Sequence, residues 1–262
     1  MLPSPHRHWE EFAPRMATGG LFFDFDGVLA PITPDPPAAR PVTGVVAALA
    51  ALSRQVRTVA VVSGRPLGFL LPIFAELPSV DLHGAYGMEH RLAGATAVVH
   101  PAAEQWIPVL RAVVALARRE LPTDLTIEDK RLTVALHYRR HPHLAAMIGD
   151  WAVAAGERFG LRVHTARMAV EFFPPVERDK GTVLRDETEK LDGAWFFGDD
   201  LADLTAFRAL RSRSSADPGF RDVCVAIFNP ETGTAVSQSA DFTLASPESL
   251  RDFLVEVTQT PS

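Results

Sequence analysis

The chain has 262 residues, 47% of them hydrophobic and 22% charged, with a formal net charge of -6, which suits one large or two modest packed domains and excludes a disordered chain. That acidity offers no basic surface to nucleic acid or anionic lipid, so a phosphorylated ligand needs a local cationic pocket or a bound metal. The lone cysteine, Cys224, excludes an internal disulfide and a multi-cysteine metal site, and no run of about 18 apolar residues or leader-like stretch occurs, so the expectation is a cytoplasmic protein.

In chain order, Met1 to Phe12 reads as a frayed start that holds His6 and His8. Leu21-Phe22-Phe23 predicts a strand ending at Asp24, Ala38 to Leu52 a helix, and Thr58 to Val62 a second buried strand ending at Ser63 and Gly64. Pro31 to Pro41 reads as a rigid surface loop. Val80 to His83 predicts a third strand. Glu104 to Glu120 predicts a helix, Leu125 to Glu128 and Leu132 to Tyr138 an antiparallel pair, His143 to Phe159 a helix, and Leu161 to Thr165 with Met168 to Phe172 another strand pair. Ala194 to Phe197 then leads into Gly198-Asp199-Asp200 and a helix through Leu210, and Val223 to Ile227 and Phe242 to Leu244 complete the strands, with Cys224 a packed thiol. Apolar strands alternating with helices indicate an α/β fold, a parallel sheet covered on both faces. The middle pattern of helix, hairpin, helix, hairpin indicates an inserted α+β domain over residues 88–177, with 1–87 and 178–262 forming the parallel core.

Ligand chemistry in such sheets gathers at the carboxyl ends of the strands, and Asp24, Ser63 and Asp199 stand at those ends. In Phe23-Asp24-Phe25-Asp26-Gly27 two acids leave one buried strand. Unpaired they repel each other; a divalent cation relieves this, and carboxylate oxygens suit magnesium. One carboxylate can then attack phosphorus while the other holds or donates a proton. Ser63-Gly64 offers a hydroxyl and backbone N–H groups to phosphate oxygens, although Ser-Gly is also a common turn. Lys180, in Asp179-Lys180-Gly181, can balance phosphate charge, and Asp199, Asp200 and Asp203 share one turn that suits either a cation or a helix cap.

The order of Asp24-Phe25-Asp26-Gly27-Val28-Leu29, Ser63, Lys180 and Gly198-Asp199-Asp200 resembles the haloacid dehalogenase-like hydrolase superfamily. The resemblance implies a Rossmann-like hydrolase core with a cap, Asp24 as nucleophile, and Asp26 as general acid/base, which dehalogenase members lack. It implies Ser63, Gly64 and Lys180 as phosphate ligands. It also implies magnesium held by Asp24, the Asp26 backbone carbonyl and Asp199, with Asp200 or Asp203 in support. A closer resemblance is to the trehalose-6-phosphate phosphatase family, carried by Asp26 to Ile32, Val62-Ser63-Gly64-Arg65, Glu128-Asp129-Lys130, His137-Tyr138-Arg139, and Glu171 with Pro174 before Asp179-Lys180-Gly181. It implies Arg65, Glu128, Lys130, Arg167 and Glu171 as substrate contacts and 88–177 as the specificity cap. Tyr86 stands where the family has His, and Phe173 where it has a cation, so a related disaccharide or pseudo-disaccharide phosphate stays open beside trehalose 6-phosphate. The expected partner is therefore a small-molecule sugar phosphate, with no nucleic acid and no membrane, and the protein a monomer or weak dimer. A sugar phosphomutase and a phosphosugar-binding regulator are the alternatives. A two-component receiver needs a shorter chain without the insertion.

Overall fold

The computed structural model describes residues 5–166 and 168–259. The chain forms two compact units, one of Met1–Val98 with Arg178–Ser262, the other of Val99–Glu177.

The first unit starts with α1 (Pro5–Phe12), β1 (Gly19–Phe23), α2 (Val45–Leu52), β2 (Thr58–Val62), α3 (Leu67–Ile73), β3 (Asp81–Gly84) and β4 (Glu89–Arg91), and the short edge strand β5 (Val98–Val99) falls on its boundary with the second. The second carries α4 (Pro101–Glu104), α5 (Ile107–Glu120), β6 (Thr126–Asp129), β7 (Val134–His137), α6 (Ala145–Phe159), β8 (Arg162–Ala166) and β9 (Ala169–Phe173). The first then resumes with α7 (Lys180–Thr188), β10 (Gly193–Gly198), α8 (Leu204–Ala216), β11 (Arg221–Ile227), α9 (Ala235–Ser239), β12 (Phe242–Leu244) and α10 (Pro247–Gln259).

The large sheet runs β12-β11-β10-β1-β2-β3-β4-β5. From β1 the chain goes to β2 and β3 on one side and, later, to β10, β11 and β12 on the other, so the strand order reverses between β1 and β10. That is where ligand crevices of parallel sheets form. Alternate residues supply two cores. Leu21, Phe23, Val59, Val61, Trp195 and Phe197 pack on one face with α2 and α10. Phe22, Ala60, Val62, Phe196 and Cys224 pack on the other with α7 and α8. Both faces are covered, which is why these strands read as unbroken apolar runs.

Several expectations are corrected. His6 and His8 lie in a formed helix, whose Trp9 and Phe12 are buried against Trp195. The helix expected over Ala38 to Leu52 is only α2, because Pro41 and a left-handed Gly44 (φ 94°) end any earlier start. The helix expected from Glu104 is split into α4 and α5 around Gln105 and Trp106. The limit expected at Met88 moves to Val98, because β4 pairs antiparallel with β3 (Leu82 with Arg91, Gly84 with Glu89) and so belongs to the large sheet.

In the second unit the sheet order is β6-β7-β9-β8, antiparallel throughout. Val134, Leu136, Val170 and Phe172 face α5 and α6 in a core with Leu110, Val113 and Ile148. The intervening residues make the opposite face, where Glu128 stands across from Ala135, and Ala135 from Glu171.

Candidate active site

Asp24 follows β1, and its N–H donates to Phe197 O (2.9 Å), carrying the strand pairing one step past β10's partner residue Phe23. Asp24 therefore leaves the sheet in its middle, with Ser63 following β2 on one side and Asp199 following β10 on the other. Lys180 is the first residue of α7, whose N-terminus is closed by a capping box: Asp179 Oδ1 accepts Thr182 N–H (2.7 Å) and Thr182 Oγ1 accepts Asp179 N–H (2.9 Å).

Within this crevice the Lys180 ammonium stands 2.9 Å from Asp24 Oδ2 and donates to Asp203 Oδ1 (2.6 Å). The second Asp203 oxygen accepts the N–H groups of Asp199 (2.9 Å) and Asp200 (3.1 Å). Asp203 thus ties α7 to the turn that presents Asp199. Asp199 Oδ2 accepts from Asn229 Nδ2 (2.7 Å), and Thr232 Oγ1 donates to Asp199 O (3.1 Å). Gly27, at φ 78°, is required here: a side chain would run into the Asp199 carboxylate.

Burial pushes the Asp24 carboxyl well above the ordinary carboxylate range, and Asp203, Asp200 and Asp199 add to this while Lys180 opposes it. Burial and the neighbouring Asp203 and Asp200 raise Asp199 to about 8. Burial raises Asp203 to about 6, with Lys180 opposing. Burial alone would lower the Lys180 ammonium, but Asp203, Asp24 and Asp200 outweigh it and hold its pKa above the usual lysine value. Three buried acids therefore share one buried lysine, a surplus of negative charge that suits a cation.

Asp24, Asp199 and Asp203 place carboxylate oxygens within 4.8 Å of one another. Asp199 Oδ1 is buried with no hydrogen-bond partner among the described residues, so an acceptor is left over where a hard divalent cation would satisfy it. The donor set fits such an ion through Asp24 and Asp199. Two expected metal residues do not join the cluster with their side chains. Asp200 Oδ1 accepts the N–H groups of Ala202 (2.9 Å) and Asp203 (3.1 Å), which makes it a turn residue. The Asp26 carboxylate is turned to Arg65, leaving only its backbone carbonyl for the role the resemblance implies.

Arg65 grips Asp26 through two bonds, Nε to Oδ2 (2.7 Å) and Nη2 to Oδ1 (2.8 Å), and lies 4.5 Å from the Phe69 ring centroid. Arg65, expected as a substrate contact, holds the second acid of the pair in this structure. Ser63 is buried and its Oγ accepts Arg65 N–H (3.1 Å), while its carbonyl accepts Tyr86 N–H (2.9 Å). Tyr86 holds a left-handed backbone (φ 58°, ψ 32°) beside Gly64.

The open sheet face of the second unit gathers three of the expected sugar contacts. Lys130 Nζ lies 2.9 Å from Glu171 Oε1 and 3.9 Å from Glu128 Oε2. Thr133 Oγ1 donates to Glu171 Oε1 (3.0 Å), and His137 Nε2 lies 2.8 Å from Glu128 Oε2. The fourth, Arg167, lies outside the described residues. Phe173 stands on the same face, edge-on to His164 with centroids 5.0 Å apart.

Asn229, Thr232 and Thr133 were missed by sequence reasoning. Asn229 had a signal: it follows β11, the one further core strand whose carboxyl end lies beside β10.

A family model described as trehalose-phosphatase matches residues 22–248. The trehalose-phosphate phosphatase of Mycobacterium ulcerans (strain Agy99) is 35% identical over 247 residues, covering 89% of this chain and 60% of the relative. That of Mycobacterium leprae (strain TN) is 33% identical over 249 residues, covering 89% and 56%. The chain thus spans about 60% of the length of such curated relatives. Among solved structures, the Candida albicans trehalose-6-phosphate phosphatase C-terminal domain superposes with a TM-score of 0.76 at 21% identity, covering 100% of both chains. The Candida albicans trehalose synthase regulatory protein C-terminal domain gives 0.70 at 14% identity, covering 97% of this chain and 99% of that one.

Proposed function

The chain belongs to the trehalose-phosphatase family, and from that premise we propose that it hydrolyses a sugar phosphate monoester, trehalose 6-phosphate or a closely related disaccharide or pseudo-disaccharide phosphate, through an aspartyl-phosphate on Asp24. The observation that carries the reading is the buried Asp24 with Lys180 Nζ at 2.9 Å, beside an Asp199 oxygen that no donor among the described residues satisfies.

An Asp24 oxygen attacks phosphorus in line with the sugar oxygen, the bond from phosphorus to that oxygen breaks, and Asp26 gives it a proton. Asp26 then takes a proton from water, the water oxygen bonds to phosphorus, and the acyl phosphate bond breaks to free Asp24 and inorganic phosphate. Lys180 balances charge beside Asp24 throughout, and Ser63 with the backbone at Gly64 binds phosphoryl oxygens. Both Asp26 oxygens accept from Arg65 at rest, so one of them leaves Arg65 and takes up a proton from solvent before it turns to the leaving sugar oxygen. Asp24, Asp199 and the Asp26 carbonyl would hold magnesium, which supplies charge neutralisation at the phosphoryl oxygens. Glu128, Lys130, Arg167 and Glu171 select the sugar. A cytoplasmic setting accords with a charged substrate and a single buried thiol.

The regulator alternative has a fold counterpart in the Candida albicans regulatory domain, so the fold alone does not separate the two. The intact set of Asp24, Asp26, Lys180 and Asp199 supports chemistry. The test is phosphate release from trehalose 6-phosphate, sucrose 6-phosphate, glucosylglycerol phosphate, amino-linked pseudo-disaccharide phosphates and p-nitrophenyl phosphate. Magnesium-dependent release from a sugar phosphate is expected, with Asp24→Asn slower by at least about a thousandfold at an unchanged circular dichroism spectrum. Wild-type-like turnover in Asp24→Asn overturns the mechanism, isomerised sugar phosphate without free phosphate points to the mutase, and no release from any substrate to the regulator.

A further inference from the structure

We propose that a recess of about 500 Å³ between α7 and α8 binds a phosphorylated small molecule of nucleotide or sugar-phosphate size, at a second site apart from Asp24. Arg185 on α7 and Arg208 and Arg213 on α8 line it, with Ser212 among them. In a chain of net charge -6, three guanidinium groups around one hollow are not a general property of the surface; their mutual repulsion falls when an anion joins them. Among the described residues the Arg185 and Arg208 side chains have neither an ion pair nor a hydrogen bond, so their planar donor forks are open to bidentate contact with phosphate oxygens.

Arg213 forms the fixed wall. Its Nη2 donates to Glu189 O (3.1 Å) and Leu191 O (3.2 Å), it stacks 4.7 Å from the Phe220 centroid, and its Nε is buried with no partner among the described residues. The two acids that line the recess are engaged locally: Asp179 caps α7, and Asp217 Oδ1 accepts Gly219 N–H (2.9 Å). The volume lies in the range of small-molecule sites, roughly 300–1,000 Å³, and exceeds what a lone phosphate fills.

The place in the fold gives such a ligand a consequence. Arg185 lies five residues beyond Lys180 on α7, and Arg208 five beyond Asp203 on α8. Thr205, which lines the recess, accepts Gly181 N–H on its Oγ1 (3.1 Å). A phosphate bridging Arg185 and Arg208 therefore clamps α7, whose first residue is Lys180, to α8, which Asp203 immediately precedes, and alters how Lys180 is presented to Asp24.

The test is calorimetric titration of AMP, ADP and inorganic phosphate into metal-free wild type, Arg185→Gln/Arg208→Gln and Arg185→Lys/Arg208→Lys. The arginines are exposed, so the variants are expected to keep the wild-type melting temperature. AMP or ADP is expected to bind wild type, at least tenfold more weakly in the Gln pair and with partial recovery in the Lys pair. Basal p-nitrophenyl phosphate hydrolysis stays within twofold in the Gln pair, and AMP or ADP shifts kcat or KM only in wild type. Absence of binding by all three probes at millimolar concentration, or equal affinity in wild type and the Gln pair, overturns the proposal. The titration needs no turnover, so failure of the phosphatase reading shows in phosphate release and leaves this readout intact.

Discussion

Asp199 accepts from Asn229 on one carboxylate oxygen and keeps the other without a donor among the described residues, so its usefulness depends on a neighbour that carries no charge. Asn229→Ala should leave Asp199 unoriented and weaken metal affinity by about 10- to 100-fold, read as a raised magnesium requirement for phosphate release that excess metal largely restores. The acid pair was legible as chemistry because two carboxylates at one buried strand end repel. Its division of labour, Asp24 as nucleophile and Asp26 as acid/base, came only from the family resemblance, because the Arg65 clamp on Asp26 joins residues 39 positions apart. A second residue-scale effect lies at His83. Burial, with His90 and Arg178 nearby, lowers its pKa to about 3. Unfolding returns it to about 6.5, so the unfolded chain binds the extra proton between these values. His83 thus contributes stability above pH 6.5 that is lost as pH falls toward 3. Glu187, raised by burial to about 6, works in the opposite sense, its folded form favoured as pH falls. The difference between wild type and His83→Leu isolates the histidine: the urea midpoint of wild type should fall relative to the variant between pH 7 and 4.5. A pH-independent gap would show that His83 is not neutral in the fold.

At the scale of elements, α7 does two things in its first turn. Its capping box ends the helix cleanly, and that stop fixes where Lys180 enters the crevice. Asp179→Ala removes the side-chain acceptor for Thr182 N–H and should cost about 1 kcal/mol, seen as a lower melting temperature. Because Lys180 is the next residue, turnover should fall more than stability does; unchanged turnover at a lowered melting temperature would separate the cap from the chemistry. The Asp-Lys-Gly order announced this helix start. Other boundaries were hidden for physical reasons. Ala38 to Leu52 is rich in helix formers, yet Pro41 and Gly44 keep the helix from starting before Val45, and β4 is a strand of three polar residues, Glu89–Arg91, paired with β3 and with Glu89 and Arg91 buried, which no apolar pattern marks.

At the scale of the molecule, the acids and Lys180 belong to one compact unit, and Glu128, Lys130 and Glu171 to the other. Chemistry and sugar selection should therefore separate in kinetics. Glu171→Gln should raise KM for the sugar phosphate about tenfold or more and change p-nitrophenyl phosphate hydrolysis by less than about twofold; equal losses on both substrates would remove Glu171 from sugar recognition. The same architecture at 14–21% identity in the Candida albicans domains shows how little of the sequence the fold requires. Read from residues alone, the chain already displayed a parallel α/β core, an α+β insertion and acids at strand ends, because burial on both sheet faces imposes continuous apolar runs and because chemistry at strand ends needs polar residues where those runs stop. Contacts between distant segments remained invisible to it: Arg65 on Asp26, Asn229 on Asp199, Asp203 bridging Lys180 to the Asp199 turn, and the strand pairing that puts Ala135 between Glu128 and Glu171. The Asp24-Phe25-Asp26 pair was readable as a reactive site from local repulsion alone, but which acid stands beside Lys180 and which is held by an arginine depends on where separate strands and helices end in space.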